Sequence, residues 1–252
     1  MKKERSYSMK KMKKVFMCCV AIIMFASVAA SAQNKNSEQW VDVDKTESLI
    51  VIKPNFSSVD MTFGDESPKS DENVIACFGA AFTGERLNKF SHKNIAGAHA
   101  GGGKKYKGYS CKRNTGAFVA YNGKWKFLYG SNKNKNYDYL LTKASKNHGC
   151  GFEQEMIIYN KNKVETTRPL DNVNVFRALC EKDGQLIVIE SNSMMKFGDF
   201  INKLLAYGVK HALYMDMGTW WYGWYRPNAG SFVDMNFKMH NYHTNWLIFK
   251  RK

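Results

Sequence analysis

The sequence predicts a single α+β domain on a twisted mixed sheet, largely antiparallel, with few flanking helices. Short apolar runs alternate with turn residues through most of the chain. Two of those turns, Asn122-Gly123 and Asp183-Gly184, are hairpin dipeptides, because a tight two-residue turn needs positive φ at both central positions. Only one segment, Phe197 to Tyr207, is read at helical spacing, through Phe197, Phe200, Ile201, Leu204 and Leu205, with Gly208 as its stop.

The first 32 residues carry Lys2, Lys3, Arg5, Lys10, Lys11, Lys13 and Lys14, then an apolar run from Val15 to Val28, then Ala30-Ser31-Ala32. A charged start, a short apolar stretch and small residues at an A-x-A site define a secretory signal, cut before Gln33. Met9 offers a second start. The apolar run is too short for a comfortable membrane span, so the mature chain is expected to be secreted or periplasmic, with no stable membrane insertion. Taking seven positive charges and one negative from the formal +16 leaves about +10. That charge suits anionic partners. Export and the absence of a recognisable module speak against nucleic acid. Four cysteines remain, Cys77, Cys111, Cys150 and Cys180; their spacing fits no zinc ribbon or C-x-x-C motif, three pairings are open, and Cys77 and Cys180 lie in apolar runs as candidate buried thiols.

Residues 33–47 read as a polar leader from which Trp40 and Val41 dock, and the domain is expected over residues 48–252. Leu49 to Lys53 and Val59 to Phe63 read as an antiparallel pair around Pro54-Asn55. An acidic loop, Gly64 to Glu72, leads to the apolar run Val74 to Phe82, whose Gly79, Ala80 and Ala81 suggest close backbone approach. From Thr83 to Gly108 the chain is irregular. Gly101-Gly102-Gly103-Lys104 fails the phosphate-loop spacing at Ala98 and Lys105, which leaves a flexible cover for an anion, with Lys104 supplying charge, set against a plain mobile loop. Thr115 to Tyr121 and Lys124 to Tyr129 form the first hairpin, and Ser131 to Gly149 an exposed excursion anchored by Tyr137, Tyr139, Leu140 and Leu141. Phe152 to Tyr159 reads as one strand before a turn at Asn160 to Lys163. Val173 to Glu181 and Gln185 to Glu190 form the second hairpin, and the helix then carries the chain to a strand at Ala212, expected to run parallel to the Gln185 strand. Ser231 to Met239 and Asn245 to Lys250 close the sheet.

The Ala212 strand delivers Asp216 at its C-terminal end, ahead of Trp220, Trp221, Tyr222, Trp224, Tyr225 and Arg226. Flat amphipathic rings beside a guanidinium suit a sugar face with an anionic group; equally, such rings cap a core. Phe176-Arg177-Ala178-Leu179, the Asp183-Gly184 hairpin, the helix ending at Gly208 and Ala212 to Gly218 resemble the C-terminal half of the phosphodiester glycosidase family. That family carries Asn-Gly-Gly-Phe-Phe where this chain has Phe78-Gly79-Ala80-Ala81-Phe82, and Leu-Asp-Gly-Gly-Gly-Ser where it has Met215-Asp216-Met217-Gly218-Thr219-Trp220. Arg177, Asp216, Gly79 and Gly218 match, while Phe78 and Met217 depart from the pattern. The resemblance implies an exported hydrolase of a sugar phosphodiester or related glycosidic bond. Asp216 is then the acid or base and Arg177 the phosphate-holding cation. Glu85 or Glu190 is the second carboxylate, and His92 and His243 are further candidates for proton transfer. Trp220, Trp221, Trp224, Arg226, Lys104, Gly218 and His243 form the expected substrate-binding set. For Arg177 the competing role is a buried ion pair. No cofactor and no metal site are expected, the His240/His243 pair lacking a third ligand at diagnostic spacing. The alternative is a catalytically silent binding protein for an anionic glycan or envelope fragment on the same scaffold.

Overall fold

In the computed structural model, which describes residues 38–84, 90–216, 222–235 and 244–251, the apolar runs become strands almost throughout. In chain order these are β1 (Val41–Lys45), β2 (Leu49–Pro54), β3 (Ser58–Phe63), β4 (Val74–Gly79), β5 (His99–Gly101) and β6 (Lys104–Tyr106). Next come β7 (Gly116–Tyr121), β8 (Lys124–Tyr129), helix α1 (Gly130–Lys146), β9 (Cys150–Gln154), β10 (Met156–Tyr159), β11 (Asn162–Lys163) and β12 (Val173–Asn174). The chain continues with β13 (Arg177–Lys182), β14 (Gln185–Ser191), β15 (Met195–Lys196), helix α2 (Phe197–Ala206), β16 (His211–Tyr214), β17 (Gly223–Tyr225), β18 (Val233–Asp234) and β19 (Asn245–Lys250).

Three sheets carry the architecture, ordered β1-β2-β14-β13-β16-β10-β11, β18-β17-β4-β19-β3 and β6-β5-β9-β7-β8, with β12 and β15 as a separate pair. Their named ladders are antiparallel, as the α+β expectation has it, and a parallel contact occurs at the isolated Ala96/Tyr109 bridge. Alternation decides which face meets which layer. Along β13, β14 and β16, Ala178, Cys180, Ile187, Ile189, Ala212 and Tyr214 pack with α2, whereas Leu179, Leu186, Val188, Leu213 and Met215 enter the core between the sheets. On β19, Leu247 and Phe249 point into that same core while Trp246 and Ile248 pack with Cys77 and Trp224 on the other side.

The hairpins form as expected, Tyr121 pairing with Lys124 and Lys182 with Gln185, with φ of 51° and 68° at Asn122-Gly123 and 50° and 75° at Asp183-Gly184. Helix α2 buries Phe197, Phe200, Ile201 and Leu204, roughly 1.5–3 kcal/mol for each side chain taken from water, and Gly208 follows its end at φ 89°. β14 and β16 both run antiparallel to β13, so they point the same way, as the crossover requires, with β13 between them rather than as neighbours.

Four expectations change. Residues 41–45 are strand β1 rather than leader, paired with β2 from Val41/Pro54 to Lys45/Ile50 and anchored by buried Trp40 and Val41. β2 and β3 do not pair with each other, because the Pro54–Ser57 connection sends them into different sheets, β2 beside β14 and β3 beside β19. The run from Phe152 to Tyr159 is two strands, split at Glu155, with β9 in one sheet and β10 in another. The excursion after Gly130 is helix α1: Tyr137, Leu140, Leu141 and Ala144 are buried at i, i+3, i+4 and i+7 against the third sheet. All four described cysteines are free thiols; Cys77, Cys150 and Cys180 are buried, and burial raises all three above the usual thiol range. No helix among the described residues is long and apolar enough to cross a membrane.

Candidate functional site

The ends of β4 and β16 meet where the chain leaves both strands. The Asp216 N–H donates to Ala80 O at 2.9 Å, and its Oδ2 accepts from the Thr83 N–H at 3.2 Å. Asp216 is 8 % exposed, so the carboxylate is at the rim of the core rather than inside it. The turn that supplies Thr83 is held by a side chain from β19: Asn245 Oδ1 accepts from the Ala81 N–H at 2.7 Å, and Asn245 Nδ2 donates to Ala81 O at 3.0 Å. A buried amide thus fixes the Ala80–Thr83 turn. Thr83 Oγ1 also lies 3.1 Å from Thr244 Oγ1.

Two phenols sense the Asp216 charge. Burial, then the repulsion of Cys111 and Asp216, raises the Tyr109 hydroxyl, with Arg113 opposing. Tyr214 is pushed up to about 12, first by burial; the Asp216 and Glu155 charges add to the rise, and the Arg168 and Arg177 charges oppose it. Glu155, at the break between β9 and β10, places its carbonyl on the Tyr214 N–H at 2.9 Å. Tyr109, Arg113, Glu155, Arg168 and Tyr214 were not singled out in the sequence. The available signal was Glu155 itself, the last of three polar residues between Phe152 and the apolar run that starts at Met156.

Arg177 is brought beside Asp216 through the backbone, Met215 N–H donating to Arg177 O at 3.0 Å, but its side chain turns into the inter-sheet core. It is fully buried. Nε and Nη2 donate to Glu190 Oε2, the former at 2.8 Å, and Nη1 donates to Tyr222 O at 2.7 Å. The guanidinium lies 5.2 Å from the Phe78 ring, and an added Cβ on Gly223 would be 3.1 Å from both Nη atoms. Arg177 and Glu190 are cross-strand partners, and burial pushes the Glu190 carboxyl above its ordinary range against the pull of Arg177. This corrects the expectation that Arg177 faces a phosphate and that Glu190 is an accessible second carboxylate. The pair joins the seven-stranded sheet to β4 and β17.

Other expected ligands are also structural. Trp224 is fully buried, its indole N–H on Ser67 Oγ at 3.2 Å, so it offers no face to a sugar. Arg226 donates to Val74 O and Lys69 O, at 3.2 and 2.6 Å, which ties it to the acidic loop rather than to an anion. The glycine triplet is a third tight hairpin, with Gly102 and Gly103 at φ 57° and 76° between Gly101 and Lys104; Lys104 is exposed on β6. His92 stacks on Tyr106 at 3.3 Å, and its Nδ1 lies 3.0 Å from Nε2 of buried His99, whose Nδ1 meets Gly97 O at 2.9 Å. Glu85, Gly218, Trp220, Trp221 and His243 lie outside the described residues. Among the described residues no group of three His, Cys, Asp or Glu side chains is placed to hold a metal ion. Cavities of about 380, 370 and 230 Å³ gather around Trp125, and none of their linings includes Asp216.

The histidine pair makes a measurable pH dependence. Burial lowers His99 from 6.5 to about 4 and also lowers His92. A lowered folded value means that the unfolded chain binds the proton first as pH falls. Stability is therefore full above about pH 6.5 and lost progressively towards pH 4, by about 3 kcal/mol for His99. Urea midpoints between pH 7.5 and 4.5 should fall less steeply in His99→Gln; parallel curves for parent and variant would refute the assignment.

No family model matches the sequence, and no curated protein matches it. The fold is distantly similar to that of a solved glycosidase catalytic domain. One solved structure it is similar to is that of zebrafish N-acetylglucosamine-1-phosphodiester α-N-acetylglucosaminidase, catalytic domain auto-inhibited by its pro-peptide. The match has a TM-score of 0.55 at 11% identity and covers 86% of this chain and 83% of that one.

Proposed function

We propose that this protein is an exported hydrolase of the phosphodiester glycosidase type, cleaving a sugar phosphodiester or a related glycosidic bond. The observation that carries the reading is the placement of Asp216: a carboxylate at the rim of the core, at the end of a central strand, held by the Thr83 N–H, with its charge adding to the rise that burial imposes on the Tyr109 and Tyr214 phenols. A carboxylate so fixed can take a proton from an attacking water or give one to a leaving oxygen. The export signal read at residues 1–32 and the fold shared with a phosphodiester glycosidase domain support the same reading.

In this reading Asp216 is the reacting group, Arg177 with Glu190 positions the strand end beneath it, and the ligand is a carbohydrate or sugar phosphate. Asp216→Asn keeps the shape and removes the proton acceptor. Incubation with a panel of glycosyl phosphodiesters and polysaccharide fragments, followed by mass spectrometry, should show cleavage by the parent and at least a hundredfold less by the variant, in line with the ~10²–10⁴ contributed by a positioned acid or base. Equal turnover would remove Asp216 from the reaction. Retention of a fragment without cleavage by the parent would establish the silent binding protein in place of the hydrolase.

A further inference from the structure

Helix α1 covers the third sheet unevenly. Four of its side-chain ties run towards β5, β6 and β9: the Tyr137 hydroxyl donates to Ala98 O at 2.6 Å, Lys105 Nζ to Thr142 Oγ1 at 2.9 Å and Ser145 Oγ to Gly103 O at 3.1 Å, while Lys133 Nζ lies 2.6 Å from Glu153 Oε1. The opposite edge of the sheet is β8. Between that edge and α1 a cleft of about 380 Å³ is left open, with Val119 and Tyr121 of β7, Leu140 of α1 and Lys124 and Lys126 of β8 in its lining. Alternation puts these groups on one face: Val119, Tyr121 and Leu128 pack on the α1 side, whereas Phe118, Trp125 and Phe127 turn to the core between the sheets. Val119 and Leu140 are buried, so the floor is apolar; the two lysines are exposed at its rim.

A run of lysines is ordinarily a solvated face, but here the charge borders a concavity. The volume lies within the roughly 300–1,000 Å³ of small-molecule clefts. No acidic residue lines it, and among the described residues no carboxylate pairs with Lys124 or Lys126. Two cations at alternate positions on one strand face repel each other, and an anion set between them turns that repulsion into attraction. Lys143, three residues beyond Leu140 and exposed on α1, adds a third cation on the helix side. The floor then decides what kind of anion fits. Aliphatic Val119 and Leu140 offer neither donor nor acceptor, so the hydroxyls of a sugar laid on them would lose their bonds to water. An acyl chain loses nothing there and leaves water, with the lysine stems adding apolar wall below their charged ends.

We infer that the cleft between α1 and the β7–β8 hairpin binds a small amphipathic anion, an acyl chain ending in a carboxylate: the chain lies on Val119, Tyr121 and Leu140, and the carboxylate meets Lys124 and Lys126. This site is separate from Asp216, since none of its lining comes from β4, β16 or residues 109–113. It does not depend on the hydrolase reading.

Calorimetric titration of the full chain with butanoate, hexanoate and octanoate below their micelle concentrations, and with neutral octan-1-ol, reads both halves of the site. Burial of two further methylenes should make octanoate bind about tenfold more tightly than hexanoate. Octan-1-ol, which lacks the charge, should bind at least fivefold more weakly than octanoate. Exchanging both exposed lysines, Lys124→Gln with Lys126→Gln, should weaken octanoate at least fivefold and leave octan-1-ol unchanged, whereas Asp216→Asn should bind octanoate as the parent does. As a check that needs no variant to fold, octanoate should shift the methyl resonances of Val119 and Leu140 in the parent. No octanoate binding, affinity indifferent to chain length, octan-1-ol binding as tightly as octanoate, octanoate affinity unchanged in the double variant or lost in Asp216→Asn, or shifts confined to other methyls would each overturn the inference. So would methyl glucoside shifting the Val119 and Leu140 methyls where octanoate does not, which would give the cleft to a sugar.

Discussion

Replacing Glu190 with alanine is expected to lower the unfolding free energy by about 3–5 kcal/mol, because it strands a charged guanidinium in the core. Arg177 is fully buried, two of its nitrogens are spent on Glu190 Oε2, and its flat face is closed in by Phe78 and Gly223. It has no route to solvent once its partner is gone. Removing both charges is a different matter, since the cost of desolvating an ion pair disappears with it. Arg177→Met with Glu190→Leu should therefore recover most of what Glu190→Ala loses, as swaps of buried pairs for apolar residues often do. Urea denaturation followed by tryptophan fluorescence reads both. If Glu190→Ala unfolds at the parental midpoint, the pair is not what joins these two sheets.

Gly108→Ala should be nearly as damaging, and it tests the loop that carries Tyr109 to Asp216. Gly108 sits at φ 63°, where an L side chain costs roughly 1–2 kcal/mol. An added Cβ would also come within 2.1 Å of Gly97 O and 2.4 Å of Ile95 O. Both are backbone atoms, so the loop must move. Its ties are the Gly97 N–H on Tyr109 O at 2.7 Å and the Tyr109 N–H on Ile95 O at 3.0 Å, and both lie at the clash. A loss of about 2–5 kcal/mol is expected from strain and overpacking together, with a shift in the phenol titration of Tyr109 followed by ultraviolet absorbance. Gly123→Ala is the control, since Gly123 has a similar φ of 68° and open space around it, so it should lose only the conformational part.

The misreadings along the chain share one physical origin. Helix α1 was visible as Tyr137, Leu140, Leu141 and Ala144 at helical spacing, but the Asn- and Lys-rich positions between them resemble a solvated loop, and only the third sheet makes that stripe worth folding. The Pro54-Asn55 turn looked like a hairpin because a turn dipeptide says that the chain bends, not which strand comes alongside. Arg177, Trp224 and Arg226 have the chemistry of ligands in the sequence, with a buried ion pair equally open to Arg177, because residue type reveals what a side chain can bind and not which way it faces. Trp224 and Arg226 meet a serine and backbone carbonyls from far along the chain, and Arg177 turns inward to the carboxylate opposite it in its own hairpin.

Local rules were enough for the α+β class, the two hairpins, helix α2 with its Gly208 stop and the delivery of Asp216 at a strand end, since turn chemistry and periodicity act between near neighbours. Tertiary structure alone decided the partition of the strands among sheets, the burial of the Arg177–Glu190 pair against β4 and the Asn245 hold on the Ala80–Thr83 turn. Each of those depends on groups that meet only after layers separated by tens of residues have packed, where burial and hydrogen-bond satisfaction, rather than propensity, choose the partner.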